Sequence, residues 1–124
     1  RLCGGEAGEI EARRFDLAPA RATEWKAVVV LKGSPTVTAA PDGAAAVNST
    51  GGPNLASGGT GDVLGGVIAA LIAQGATPFD AAVAGVYLHG RAGDALAQRH
   101  GDRGTLAGDL PPELPAVIKA VREG

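Results

Sequence analysis

The chain has 124 residues, of which 45% are apolar, and a formal net charge of −2. This length suits one domain or part of one, and the charge gives no sign of a nucleic-acid or anionic-membrane partner. The single cysteine, Cys3, excludes a disulfide within the chain. The N-terminal residues are charged, and the apolar run Val63–Ala73 is too short to cross a bilayer. Together these features predict a cytoplasmic protein. Because the chain starts without Met, we expect it to be part of a longer protein.

The first predicted elements are a helix and a strand. The helix covers Asp16–Lys26, starts at a favourable capping residue, and is expected to place Trp25 in the core. The run Ala27–Leu31 is apolar and β-branched, which is typical of a strand covered on both faces in a parallel sheet. Lys32 follows at the carboxyl end of that strand, where open α/β sheets bind ligands, although position alone favours a solvated lysine at a strand end.

A hairpin and a polar loop come next. The short runs Thr36–Ala40 and Ala44–Val47 flank Pro41-Asp42-Gly43, and this turn chemistry predicts a β-hairpin. The polar segment after Val47 then leads into a glycine-rich stretch that begins at Asn54.

The glycine-rich stretch enters a predicted helix, Asp62–Gln74, that is apolar almost all round and is therefore expected to be buried. Asp62 is the only ionisable side chain between Gly43 and Phe79. Three glycines precede it and can approach a ligand closely at a helix N-terminus, which favours an anion. They are Gly58, Gly59 and Gly61. The residues alone leave two interpretations of Asp62 open: a base or metal contact in phosphate chemistry, or a helix cap.

The C-terminal part is predicted to be helical. Thr77 and a following proline start a helix that continues to about His100. Its glycines allow close packing against the preceding helix: Gly85, Gly90 and Gly93. No cysteine or second histidine accompanies His89, so a metal or catalytic role is not indicated, and Arg91 and Asp94 have the spacing of a surface ion pair. The last helix is predicted over Asp109–Glu123.

Several segments together, in order and spacing, resemble the ADP-dependent NAD(P)H-hydrate dehydratases of the ribokinase-like superfamily. They are VVVLKGSPTV, the PDG hairpin, VNSTG, LASGGTGDVLGGVIAALIAQG and GVYLHGRAGD. The resemblance extends from about Glu11 to the end. It implies an α/β fold with helices on a mostly parallel sheet and a short hairpin. Because members are about twice as long, residues 1–124 are expected to form one partial domain, the C-terminal half of that fold.

The resemblance also implies site residues. The implied nucleotide-binding residues are Lys32, Gly33, Ser34, Pro35, Thr36, Asn48, Thr50, Gly51, Gly58, Gly59, Thr60 and Gly61. Asp62 matches the family aspartate that contacts the hydrated nicotinamide and is placed like the base of ribokinase-type kinases. No residue is implied as a direct metal ligand.

The implied reaction removes water from hydrated NADH or NADPH at the expense of ADP or ATP, with Mg²⁺ neutralising the phosphates. Asp62 would take the proton of the substrate hydroxyl. The expected partners are this substrate, the adenine nucleotide and further copies of the protein, without nucleic acid or membrane. Two alternatives stay open: a small-molecule kinase acting on a vitamin precursor, and an inactive nucleotide-binding fragment.

Overall fold

A computed structural model describes residues 4–124. The chain forms two compact units, Arg1–Asn48 and Ser49–Gly124, which we call the first and second units. The first unit contains both helices and strands, and the second contains helices and short 3₁₀ turns without strands in its described residues. Cys3 lies outside the described residues.

The first unit packs two helices and a three-stranded antiparallel sheet. Its elements are α1 (Ala7–Ala12), α2 (Arg14–Trp25), β1 (Val29–Leu31), β2 (Thr36–Ala39) and β3 (Ala45–Asn48). The strand order is β1-β2-β3, and the predicted hairpin between β2 and β3 is confirmed. The carboxylate of Asp42 accepts the Ala44 N–H at 2.9 Å, so the turn forms as its sequence indicates.

The pairing of β1 differs from the expected parallel arrangement. A strand does form in the 27–31 run, but it pairs antiparallel with β2, and residues 4–124 contain no parallel pair. Only four residues separate β1 from β2, and a connection that short cannot cross over to a parallel neighbour. The side chains of β1 are half-buried, whereas β2 is buried throughout.

Helix α2 covers the sheet with small residues. It begins at Arg14, so Asp16 lies in the first turn and is not the cap. Ala18 and Ala22 pack with Val37 and other apolar residues of the sheet. The prediction that Trp25 fills the core is wrong, because this side chain is 39% exposed.

The second unit is centred on a long helix. Its helices are α3 (Thr60–Ala73), α4 (Pro78–His100) and α5 (Leu114–Glu123). The core contains Leu88 and Leu96 of α4 together with Leu110 and Val117. The last helix begins later than predicted, because Asp109 belongs to a separate 3₁₀ turn.

Helix α3 is less buried than its composition suggests. In the described chain only Thr60 and Leu64 of this helix are buried, and an apolar face stays exposed at Gly65, Gly66, Ala69, Ala70 and Ile72. The contact with α4 is close, since a Cβ at Gly85 would lie 2.7 Å from Ile68 Cγ1. Across residues 4–124, no helix combines the length and the apolar character needed to cross a bilayer.

Candidate active site

The turn that precedes α3 has the backbone shape that the glycines predict. Gly59 is the N-cap residue, with φ +85° and ψ −11°, in the left-handed region that glycine adopts without strain. A Cβ on Gly59 would also lie 3.2 Å from the Ala107 Cβ. Gly58 and Gly61 have no positive φ, so the left-handed conformation is required at Gly59 alone.

The turn presents several N–H groups that are not used within the unit. Thr60 donates to the Ser57 carbonyl, and Asp62 and Val63 donate to the Gly59 carbonyl. Within residues 4–124, the N–H groups of Gly58, Gly59 and Gly61 donate to no recorded acceptor. Free N–H groups at a helix N-terminus attract anions, both directly and through the helix dipole.

Asp62 lies beside these donors and is not the helix cap. It occupies the third position of α3, and no side chain caps this end of the helix. Its side chain is exposed, and among the described residues it forms no recorded hydrogen bond or ion pair. The cap interpretation therefore loses its structural basis, and the carboxylate stays available to a ligand.

Side chains that point inward hold the turn. The hydroxyl of Thr60 lies 2.7 Å from the Leu55 carbonyl oxygen and 3.0 Å from that of Ser57. The hydroxyl of Ser57 donates to the Thr105 carbonyl at 2.6 Å. Because the Thr60 side chain is buried, its predicted role in nucleotide contact would have to come from the main chain.

Helix α4 fixes the segment before the turn through two of its glycines. The Asn54 amide donates to the Gly93 carbonyl at 2.8 Å, and a Cβ on Gly93 would lie 2.8 Å from the Leu55 side chain. A Cβ on Gly90 would overlap Thr50. These two glycines therefore make room for the preceding segment and not, as predicted, for α3.

The two predicted site residues at the start of the second unit also contact α4. The Thr50 hydroxyl donates to the Tyr87 carbonyl at 3.1 Å. Gly51 has φ +88°, and its N–H donates to the Asp94 carboxylate at 3.1 Å. In the described chain Asp94 forms no ion pair with Arg91, so the predicted surface pair is wrong. Its carboxylate instead holds a glycine turn.

In the first unit, the structure brings Asn48 together with the other predicted nucleotide segment. The register of the hairpin places Asn48 opposite Thr36. Thr36 closes the connection from β1, since its hydroxyl lies 3.1 Å from the Gly33 carbonyl oxygen and accepts the Gly33 N–H at 3.2 Å. Lys32 and Ser34 are exposed, and Pro35 is half-buried.

A buried arginine, which the sequence patterns do not indicate, contacts this segment. Arg14 is only 2% exposed, donates to the Pro35 carbonyl and pairs with Glu11. A Cβ on Gly33 would overlap its guanidinium, which explains the glycine after Lys32. No local pattern identifies this arginine, because its carbonyl partner lies 21 residues away.

Sequence analysis also gave no role to His89, which contacts the turn. This side chain is 4% exposed, and its Nε2 lies 2.9 Å from the Thr60 carbonyl oxygen. In the part of the chain that the structure describes, no group of three His, Cys, Asp or Glu side chains is arranged to hold a metal.

The second unit also contains an open cavity of about 430 Å³ at the C-terminal end of α4. Arg99 and Glu113 line it and form a two-pronged ion pair. The hydrogen bond from Arg99 lowers the pKa of the Glu113 carboxyl. The Glu113 carboxylate in this cavity is therefore paired with the Arg99 guanidinium, whereas the Asp62 carboxylate has no partner among the described residues.

Comparisons with known proteins identify the family of the chain. A family model described as NAD(P)H-hydrate dehydratase matches residues 1–116. The bifunctional NAD(P)H-hydrate repair enzyme of Moorella thermoacetica is 48% identical over 99% of this chain, which spans 23% of that protein. The ADP-dependent (S)-NAD(P)H-hydrate dehydratase of Xanthomonas campestris is 40% identical over 99% of the chain, which spans 43% of it.

A solved structure gives the same result for the fold. The ADP/ATP-dependent NAD(P)H-hydrate dehydratase of Bacillus subtilis, co-crystallised with ATP and Mg²⁺ and soaked with CoA, has a TM-score of 0.92 and 38% identity. The match covers 97% of this chain and 44% of that protein. The predicted ribokinase-like α/β class is thereby confirmed. With the family model matching most of its length, the chain belongs to the NAD(P)H-hydrate dehydratase family.

Proposed function

We propose that the protein containing this chain converts hydrated NADH or NADPH back to the reduced cofactor, with ADP or ATP as phosphoryl donor. One observation carries the proposal: a glycine turn with three N–H groups that have no acceptor within residues 4–124 lies directly before the exposed carboxylate of Asp62. Family membership supports the substrate class, and the names of the relatives support the use of an adenine nucleotide.

In this reaction Asp62 acts as the general base. Hydroxide is a poor leaving group, so the substrate hydroxyl first attacks the terminal phosphoryl group while Asp62 accepts its proton. The C–O bond then breaks with phosphate as the leaving group, while the neighbouring carbon loses a proton and the ring double bond forms. The net result is loss of water from the substrate and cleavage of a phosphoanhydride. An unpaired carboxylate suits this step, because no neighbouring cation competes for its lone pairs.

The glycine N–H groups stabilise the charge that develops on the transferred phosphoryl group. Gly58, Gly59 and Gly61 supply these donors, which are fixed before the reaction and need no reorganisation. Because the sequence resembles the NAD(P)H-hydrate dehydratases, we also assign nucleotide contacts to further residues. They are Lys32, Gly33, Ser34, Pro35, Thr36, Asn48, Thr50, Gly51 and the main chain of Thr60.

The described residues fit a nucleotide better than a metal held by the protein alone. The turn offers unused donors for phosphate oxygens, but no cluster of three potential metal ligands occurs in residues 4–124. A Mg²⁺ ion bound with the nucleotide would supply charge neutralisation of the phosphates, with Asp62 as the carboxylate that the turn offers. The homo-oligomeric state, the absence of nucleic-acid and membrane partners and the cytoplasmic location stay predictions.

The proposal is tested with the full-length protein, because this chain spans less than half of its relatives. The protein is incubated with hydrated NADH, ADP and Mg²⁺, and the return of NADH absorbance is followed. Omission of nucleotide should abolish the signal. A phosphorylated product that accumulates without NADH would instead support the kinase alternative. Nucleotide binding without any turnover would support an inactive binding protein.

A further inference from the structure

The side chain of a buried histidine contacts the peptide that joins Thr60 to Gly61. The Thr60 carbonyl oxygen lies 2.9 Å from His89 Nε2. A carbonyl oxygen can only accept, so Nε2 must carry the hydrogen and donate it. The oxygen has two lone pairs and can accept from the imidazole in addition to the helix backbone.

The direction of the Gly61 N–H follows from the planarity of that peptide. In a trans peptide the carbonyl and the N–H of the next residue point in opposite directions. His89 is buried on α4, so the carbonyl that it holds points into the second unit. The Gly61 N–H therefore points away from His89, and it is one of the N–H groups without an acceptor in the described chain.

The same hydrogen bond also makes the peptide a better donor. A hydrogen bond to a carbonyl polarises the peptide group, and hydrogen bonds in a chain strengthen one another. The other side chains that hold this turn act on different groups: Thr60 and Ser57 bond to the carbonyls of residues 54, 55, 57 and 105. Among these side-chain contacts, that of His89 is the one that reaches the first peptide of α3.

We propose that His89 is a positioning residue that aims and polarises the Gly61 N–H toward the phosphoryl group. This inference rests on the proposed function, in which the turn binds the phosphates. His89 does not touch the substrate. It acts through the Thr60–Gly61 peptide, one residue before Asp62. Loss of the His89 side chain should therefore lower the reaction rate more than it lowers the amount of folded protein.

The test compares two substitutions in the full-length protein. His89→Leu removes the donor, and His89→Gln retains an amide N–H at a similar reach. Removal of one donor to a developing charge usually lowers kcat by about 10²–10³-fold, and a misaligned donor should cost about tenfold or more. We therefore expect a reduced kcat for the Leu variant and substantial recovery for the Gln variant.

A matched control separates positioning from general stability. Val117 belongs to the core of the same unit and has no recorded contact with the turn, so Val117→Ala should lower the melting temperature with an almost unchanged kcat. A Leu variant with the kcat of this control, or a Gln variant as slow as Leu, would overturn the inference. A parent protein that binds no ADP would overturn the proposed function and the inference with it.

A second measurement does not depend on the Leu variant folding. With glycine-selective ¹⁵N labelling of the parent protein, the Gly61 amide resonance should shift to lower field when ADP is added. The ¹⁵N shifts of His89 should identify the form that carries hydrogen on Nε2. An unchanged Gly61 resonance at saturating ADP would contradict the proposed direction of this N–H.

Discussion

Replacing Asp62 with Asn separates catalysis from helix stabilisation. The substitution keeps size and removes charge at the third position of α3, where the side chain is exposed and caps nothing. The structural loss is then limited to an interaction with the helix dipole, about 0.3–1 kcal/mol. If Asp62 is the base, kcat for dehydration should fall by about a hundredfold or more.

The chain provides a matched control for this variant. Asp80 is also an exposed acid at the third position of a helix, α4, whose cap is the Thr77 side chain. Asp80→Asn should lose a similar amount of stability and keep full activity. Both variants are compared by urea unfolding, ADP calorimetry and NADH absorbance. Equal turnover in the two variants would refute the assignment of Asp62 as the base.

Three further predictions concern the supports of the proposed site and the cavity. Gly33→Ala should displace Arg14, because the added Cβ overlaps its guanidinium, and calorimetry should then show weaker ADP binding. Gly66→Ala is the control, because a Cβ at Gly66 has no neighbour within 4 Å. Gly93→Ala should destabilise the second unit by about 1–3 kcal/mol in urea unfolding, because its Cβ would lie 2.8 Å from Leu55; an unchanged unfolding midpoint would contradict this packing. Since the hydrogen bond from Arg99 lowers the pKa of Glu113, the pair stabilises the fold at pH values above the unfolded pKa, and this effect is lost as pH falls through the lowered pKa of the folded state. Glu113→Gln should therefore flatten the loss of stability between neutral and acidic pH, and identical acid profiles would contradict it.

Local sequence patterns predicted the turns well, because a turn depends on few residues. The hairpin follows from Pro41-Asp42-Gly43 and its Asp42 hydrogen bond, and the left-handed Gly59 follows from the glycine run. The antiparallel pairing of β1 was also available from the sequence, since a four-residue connection excludes a parallel neighbour. The parallel pairing was predicted from the apolar character of residues 27–31 without this limit on the connection, and it is wrong.

The residues that hold the proposed site could not be found in this way, because their partners are distant in the chain. His89 contacts a carbonyl 29 residues away, and Arg14 contacts one 21 residues away. In both contacts the partner group is a main-chain carbonyl, so the types of the two residues do not indicate that they touch. A backbone carbonyl is offered by every residue, and only the fold determines which one a buried histidine or arginine reaches.

The polar groups of the turn divide between its inner and outer sides. Asn54, Ser57, Thr60 and His89 all turn inward and bond to main-chain carbonyls, although the side-chain oxygen of Asn54 is buried without a hydrogen-bond partner in the described residues. The outer side of the turn is then left with glycine N–H groups and the Asp62 carboxylate. Side chains on the outside would block a close approach by phosphate, whereas main-chain donors held from behind permit it. On this view the inward polar side chains are as necessary to the proposed chemistry as Asp62, although none of them would touch the substrate.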